Sequence, residues 1–129
     1  MKELLEQARV ARLNSYSPYS KFKVGAALLT TNNQVYTGCN IESVSYTPTC
    51  CAERTAFVKA LSEGARSFKA IAIVGGKEEE YEFCYPCGVC RQFMSEFCDE
   101  DFIIYLSDGK VIREYTLNEL FPHAFKTEI

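Results

Sequence analysis

Hydrophobic residues recur along the chain at two spacings, and each spacing predicts one kind of secondary structure. Leu4, Leu5, Ala8 and Ala11 follow the helical period, which predicts a helix over residues 2–14. Short apolar runs that are bounded by turn residues are typical of strands. The predicted elements, in chain order, are helix 2–14, strands 22–30 and 34–41, helix 51–61, strand 68–74, a helix that follows Pro86 and ends near residue 97, strands 102–106 and 111–115, and a short helix that begins at residue 116.

The order of these elements predicts an α/β fold. Strands and helices alternate in the middle of the chain, which favours a parallel core, while turn signals at Asn32-Asn33 and Asp108-Gly109 predict hairpins at both ends. We therefore expect a three-layer α-β-α arrangement in which a mixed five-stranded sheet is covered by helices on both faces. The length of 129 residues fits a single domain over 1–129.

Composition and charge narrow the classes of function. The net charge of −3 argues against a nucleic-acid-binding surface, and no apolar run reaches the roughly 18 residues of a membrane helix. The single histidine excludes metal sites that need two or more. Seven cysteines without a signal-like leader predict a reduced, cytoplasmic protein, in which clustered cysteines bind metal or act in catalysis more often than they form disulfides.

Three cysteines stand where two helices are predicted to begin. Cys51 opens the second helix in the run Cys-Ala-Glu-Arg, and Cys87 and Cys90 open the third in the run Pro-Cys-Gly-Val-Cys-Arg. A Cys-x-x-Cys pair at a helix start places both sulfurs on one side, where backbone N–H groups favour thiolate. If the two helices begin side by side, the three sulfurs converge on one Zn²⁺ per chain and leave its fourth position to water, as in catalytic zinc sites.

Glu53 is the candidate proton shuttle beside this metal. It follows Cys51 by two positions, which on an ideal helix places the two side chains about 200° apart. Both can face one water only if Cys51 lies at a non-helical cap. Three thiolates also leave a net negative charge on the metal site, which Arg54 and Arg91 are placed to offset.

The same residues leave two other classes open. Pro-Cys-x-x-Cys before a helix is also typical of a dithiol oxidoreductase. A closed zinc site in a non-catalytic module results if Cys50, Cys84 or His123 supplies a fourth ligand. An oxidoreductase should hold no stoichiometric zinc, so metal analysis separates it from the other two classes.

Taken in order along the chain, the motifs resemble those of the short, all-cysteine, zinc-dependent cytidine deaminases. The runs that carry the resemblance are Tyr-Ser-Lys-Phe-Lys-Val-Gly-Ala-Ala over 19–27, Gly-Cys-Asn-Ile-Glu over 38–42, the two cysteine runs, and Leu-Phe-Pro-His-Ala-Phe over 120–125. The resemblance implies hydrolytic deamination of cytidine and 2′-deoxycytidine to the uridines with release of ammonia, as in pyrimidine salvage. It assigns Cys51, Cys87 and Cys90 to zinc and Glu53 to proton transfer between water and base.

The resemblance also implies how a nucleoside is held. Asn40 and Glu42, which we expect to share a face at a strand end, would bind the ribose 3′-hydroxyl. Phe22 would pack on the pyrimidine, and the Ala52 backbone and Tyr46 would contact the substrate.

Two further implications concern residues outside that pocket. Phe125 would be donated by a neighbouring subunit, which implies a homo-oligomer, typically a tetramer in this group. Arg54 would hydrogen-bond the ligand thiolates and offset their charge.

Two residues depart from the family pattern, and two related activities compete with the favoured one. Tyr85 stands where a small residue often precedes the proline, and Cys50 directly precedes a proposed ligand. A blasticidin-type deaminase shares the zinc runs, but the Asn40-Ile41-Glu42 motif favours cytidine. Short length and acidic charge argue against a polynucleotide-editing deaminase.

Overall fold

The computed structural model describes residues 1–127, and within them the predicted order of elements is confirmed. The elements are α1 (Lys2–Arg12), β1 (Phe22–Thr30), β2 (Val35–Cys39), α2 (Ala52–Ser62), β3 (Phe68–Lys77), α3 (Gly88–Phe97), β4 (Ile103–Ser107), β5 (Ile112–Thr116) and α4 (Leu117–Leu120). The second strand is shorter than predicted, because the chain leaves the sheet after Cys39 and Ile41 makes only isolated bridges, to Tyr16 and Cys50. None of the helices in this part of the chain has both the length and the apolar character of a bilayer span.

The five strands form one mixed sheet in the order β2-β1-β3-β4-β5. The two predicted hairpins, β1–β2 and β4–β5, are present and antiparallel. The predicted parallel core is smaller than expected: β3 and β4 pair in parallel, whereas β1 pairs with β3 in the antiparallel sense. The reason is that the chain passes from β2 through α2 to β3 on the far side of β1, so that β1 separates two strands that run in the same direction.

The sheet buries a different set of side chains on each face, as the predicted three-layer arrangement requires. Alternate residues of β1, β3 and β4 point to opposite sides. The residues packed with α2, α3 and α4 include Ala26, Leu28, Ile71, Ile73, Ile104 and Leu106. The residues packed with α1 include Ala27, Ala70, Ala72 and Val74. The α-β-α fold with helices on both faces is therefore confirmed.

Two glycines allow the helices to lie directly on the sheet. A Cβ atom at Gly25 would stand 2.1 Å from the carbonyl oxygen of Ala8 in α1. A Cβ atom at Gly38 would stand 2.5 Å from the backbone nitrogen of Ala56 in α2. Any larger residue would push these helices away. The contact at Gly38 matters for the site described below, because it fixes the helix that has Cys51 as its N-cap residue and Glu53 in its first turn.

The starts of α2 and α3 lie at the same edge of the sheet. Since β2 and β3 are both antiparallel to β1, they run in the same direction, and each is followed by a helix that begins beyond its carboxyl end. In open α/β sheets such an edge, beyond the carboxyl ends of the strands, is the usual location of ligand sites.

Candidate active site

Three thiols meet where α2 and α3 begin. The sulfurs of Cys51, Cys87 and Cys90 all lie within 4.8 Å of one another, and those of Cys51 and Cys87 are 3.9 Å apart. Within residues 1–127 no fourth histidine, cysteine or acidic ligand belongs to this group, so Cys50, Cys84 and His123 do not close it. Three mutually close sulfurs form a donor set that zinc accepts, and their number matches the three protein ligands of catalytic sites.

The helix caps explain why these sulfurs converge. Cys51 and Cys87 are both N-cap residues with extended backbone, at φ −70° and ψ 153° and at φ −69° and ψ 168°. The Cys87 sulfur accepts a hydrogen bond from the Cys90 backbone N–H over 3.5 Å, in the manner of a side-chain cap. Cys90 then lies in the first turn, where its sulfur is on the same side.

The cap geometry also removes the angular conflict between Cys51 and Glu53. Because Cys51 is extended and the helix begins at Ala52, the ideal helical separation does not apply to this pair. Glu53 is only 5% exposed. Burial raises the pKa of Glu53 to about 7, and the charge of Cys51 raises it in the same direction. A buried carboxyl group that titrates near neutrality is suited to general acid–base chemistry.

The thiols themselves are electrostatically coupled. A hydrogen bond from Cys90 lowers the pKa of the Cys51 thiol to about 5, in opposition to burial, and Arg54 lowers it further. The Arg54 Nη2 atom lies 3.6 Å from the Cys51 sulfur, while its buried Nε has no hydrogen-bond partner among the described residues. Cys51 in turn raises the pKa of Arg54. A guanidinium that faces sulfur anions fits a thiolate-rich metal site, as expected for Arg54.

A cavity of about 280 Å³ opens beside the thiols, at the lower end of the volumes of small-molecule sites. Its lining consists of Ser20, Phe22, Val24, Asn40, Glu42, Thr49, Cys50, Cys51, Ala52, Glu53, Tyr85 and Cys87. It therefore brings Phe22, Asn40, Glu42 and Ala52 together with Glu53 and two of the three clustered thiols. A larger cavity of about 420 Å³ near the C-terminal segment contains none of these groups.

Asn40 and Glu42 are held by the backbone of neighbouring segments. Asn40 lies one residue beyond β2, where its Nδ2 donates to the Phe22 carbonyl (2.7 Å) and its Oδ1 accepts from the Val24 N–H (2.9 Å). Glu42 accepts from the backbone N–H groups of Tyr19 (3.0 Å) and Ser20 (3.2 Å) and from the Ser20 hydroxyl. The strand thus ends at Cys39, earlier than predicted, and these hydrogen bonds hold Asn40 and Glu42 where both line the same cavity.

Two residues expected at the substrate do not reach this cavity in a single chain. Tyr46 is 76% exposed and lies in the loop before α2, at a positive φ of 62°. Phe125 is also 76% exposed, and its backbone carbonyl accepts a hydrogen bond from Gln92 Nε2 over 2.7 Å. The contact of Tyr46 with the substrate stays a prediction. The intersubunit role of Phe125 stays a prediction.

The cavity also includes residues to which the sequence argument gave no binding role. Ser20, Val24 and Thr49 line it beside the departures Cys50 and Tyr85. Ser20 belongs to the 19–27 run that carries the resemblance, which is the signal that pointed to this segment. Tyr85 directly precedes Pro86-Cys87, so its proximity to a proposed ligand was the available signal.

Comparison with known proteins places this arrangement in a family. Residues 1–106 match the model of the cytidine and deoxycytidylate deaminase zinc-binding region. The chain belongs to this family. A cytidine deaminase of Sporosarcina psychrophila is 48% identical over 129 residues, which cover 99% of this chain and 93% of the relative. The predicted family is confirmed, and the zinc-binding match together with the thiol cluster identifies the site as one for a single Zn²⁺ per chain.

Solved structures agree with the fold. The crystal structure of cytidine deaminase from Burkholderia pseudomallei superposes with a TM-score of 0.88 at 42% identity, and the match covers 96% of this chain and 98% of that one. A blasticidin-S deaminase of Bacillus cereus is more distant, at 30% identity over 108 residues, covering 80% of this chain and 76% of the relative. The comparisons therefore favour cytidine deaminase over the blasticidin-type alternative.

Proposed function

We propose that the protein catalyses the hydrolytic deamination of cytidine and 2′-deoxycytidine to uridine and 2′-deoxyuridine. The observation that carries this proposal is a cluster of three thiols beside a small cavity that Cys51, Cys87 and the buried Glu53 line, in a chain of this family. In the reaction a C4–O bond to water forms, the C4–N bond breaks, and ammonia leaves.

Three side chains hold the metal in this proposal. Cys51, Cys87 and Cys90 bind Zn²⁺ as thiolates, and Arg54 offsets their charge through its contact with Cys51. When bound, zinc supplies the Lewis acidity that activates water at neutral pH.

The Glu53 carboxylate moves the protons. It accepts one proton from the attacking water and delivers it to N3 of the base. It then accepts the second proton from the hydroxyl now on C4 and passes it to the departing amine, so that the C4 carbonyl of the uridine forms as ammonia leaves. One side chain can serve as base and then as acid because a carboxyl group that lines the cavity can accept a proton at one atom of the reacting base and release it at another. Burial also shields Glu53 from bulk water, which would otherwise exchange these protons.

The far end of the cavity binds the sugar. Glu42 accepts a hydrogen bond from the ribose 3′-hydroxyl, and the Asn40 amide donates one to it. The backbone hydrogen bonds described above hold both groups before the substrate arrives, which lowers the entropic cost of binding. Phe22 packs against the pyrimidine, and the backbone of Ala52 faces it.

Several coarser features complete the proposal. Residues 1–127 share one sheet, which supports a single catalytic domain over 1–129. All seven cysteines are free thiols, which supports residence in the reducing cytoplasm. Phe125 is exposed, as a side chain donated to a neighbouring subunit of a homotetramer would be. Salvage of pyrimidine nucleosides is the metabolic role that this reaction serves.

The proposal is tested by incubating pure zinc-loaded protein with cytidine, 2′-deoxycytidine, dCMP and blasticidin S. The loss of ultraviolet absorbance and the release of ammonia are followed together. We expect both nucleosides to yield one ammonia per uridine formed. Turnover of dCMP should be far slower, because the described cavity lining contains Glu42 and no lysine or arginine to meet a phosphate. Turnover of blasticidin S with neither nucleoside consumed would contradict the proposal.

A further inference from the structure

Tyr85 forms part of the cavity wall on the side of the thiols. It lines the same cavity as Cys51, Cys87 and Glu53, and its side chain is partly exposed. It precedes Cys87 by two residues in the chain, and both residues line the cavity. No part of the reaction described above uses this side chain.

The ring of Tyr85 is held by two residues of β5. Arg113 Nη1 donates to the Tyr85 hydroxyl over 2.8 Å, and the Tyr115 hydroxyl lies 2.8 Å from the same oxygen. The rings of Tyr85 and Tyr115 are 5.7 Å apart at an angle of 59°. The Arg113 guanidinium is in turn stacked 3.8 Å above the ring of Phe83. These contacts hold the ring of Tyr85 in one orientation, although the side chain is partly exposed.

The position of the reacting atoms determines which part of the base lies next to Tyr85. C4 must approach the thiols and Glu53, and its neighbour N3 must approach the Glu53 carboxyl group that exchanges a proton with it. C5 is the other neighbour of C4, so a substituent on C5 extends from the thiol end of the cavity away from N3. Glu53 is carried by α2, whereas Tyr85 and Cys87 belong to the segment that enters α3.

We propose that Tyr85 is a specificity-determining residue that limits the size of the substituent a pyrimidine nucleoside may carry at C5. This inference rests on the proposed function, because it assumes that C4 of a cytidine faces the thiols. The cavity is small, so a methyl group added at C5 would contact its wall and weaken binding of the base. The ring of Tyr115 also packs beside that of Tyr85, so the aromatic wall keeps a neighbour even when the hydroxyl is absent.

The test compares kcat/KM for cytidine and 5-methylcytidine in the wild type, Tyr85→Ser and Tyr85→Phe. We expect Tyr85→Ser to raise the 5-methylcytidine to cytidine ratio about tenfold or more, the scale of a methyl group in a tight apolar pocket. Tyr85→Phe keeps the ring and should stay within about threefold of the wild-type ratio, well below that scale. The matched control is Tyr105→Ser, on the opposite face of the sheet, which should leave the ratio unchanged.

The outcomes separate this inference from the proposed function. A wild type that does not deaminate cytidine overturns both. A wild type that deaminates cytidine, together with an unchanged ratio in Tyr85→Ser, overturns the role of Tyr85 alone. If Tyr85→Ser fails to fold, Tyr85→Leu keeps apolar packing in a shorter side chain and should shift the ratio in the same direction; an unchanged ratio in that variant also overturns the inference.

Discussion

Cys51 and Glu53 serve one site because the helix begins between them. The extended backbone of Cys51 directs its sulfur towards Cys87, while Glu53 occupies the first turn of α2 and is buried beside the same cavity. The run Cys-Ala-Glu thus places a metal ligand and a proton carrier at adjacent points of space. A helical wheel does not predict this cap conformation. From the sequence it follows only that Cys51 must lie outside the helix if both side chains face one water.

Replacing Glu53 by Gln tests the proton-carrying role at this residue. The amide keeps the size of the side chain but can neither accept nor release a proton near neutral pH. We therefore expect bound zinc and the fold to remain while kcat falls by about 10²–10⁴-fold. Zinc content by mass spectrometry and steady-state kinetics provide the measurement.

The matched control for this substitution is Glu63→Gln, an exposed glutamate just past the end of the same helix. It should retain full activity. Full turnover in Glu53→Gln with normal zinc would remove Glu53 from the mechanism.

The element that connects β3 to α3 is fixed by a buried arginine. Arg12, at the end of α1, is only 4% exposed and donates hydrogen bonds to the carbonyls of Lys23 (3.0 Å), Gly76 (3.0 Å) and Glu78 (2.6 Å). Its guanidinium also lies 4.4 Å from the centre of the Tyr81 ring. This connection leads directly to the segment that carries Cys87 and Cys90.

Substituting Arg12 by Met should therefore destabilise the whole fold. The carbonyls would lose charge-assisted hydrogen bonds and be left partly buried, so we expect the free energy of unfolding to fall by about 3 kcal/mol. Denaturant unfolding of the zinc-loaded protein measures this change.

Arg9 provides the comparison on the same helix. It forms an exposed ion pair with Glu6, with 2.6 Å between nitrogen and oxygen. Such pairs contribute little, so Arg9→Met should leave the unfolding midpoint unchanged. Equal effects of the two substitutions would show that Arg12 has no special structural role.

The type and order of the elements could be predicted because each is encoded locally. The period of the apolar residues, the turn at Asp108-Gly109 and the capping box at Thr116 depend on residues close in sequence, and all three are present in the structure. The end of β2 was placed too late, because the β1–β2 ladder ends at Cys39 and Asn40 exchanges hydrogen bonds with β1 through its side chain as well as its backbone. That exchange involves a segment about sixteen residues away, which a local pattern does not report.

At the scale of the whole molecule, the antiparallel pairing of β1 with β3 was the main surprise. Strand–helix alternation predicts which strands are parallel, and β2, β3 and β4 do run in the same direction. It does not predict that β1 lies between β2 and β3. The convergence of the three thiols could be predicted without the strand order, because it depends on the direction of β2 and β3 and on the caps of α2 and α3.

The proposed homotetramer gives a prediction at this scale. Phe125 is exposed in the single chain, and we expect it to be covered by a neighbouring subunit. Light scattering should give a mass of four chains. Phe125→Ala should raise KM for cytidine while the zinc content stays at one ion per chain. A monomer with full activity would contradict both the assembly and the shared role of Phe125.

The central claim is that three thiolates bind zinc and leave one position for water beside Glu53. X-ray absorption spectroscopy of the zinc-loaded protein in solution tests it most directly, because sulfur and lighter ligands scatter differently. The account predicts three zinc–sulfur distances of about 2.3 Å and one shorter distance to an oxygen. Four sulfur ligands, or a fourth ligand from the His123 imidazole, would show a closed structural site and contradict the account.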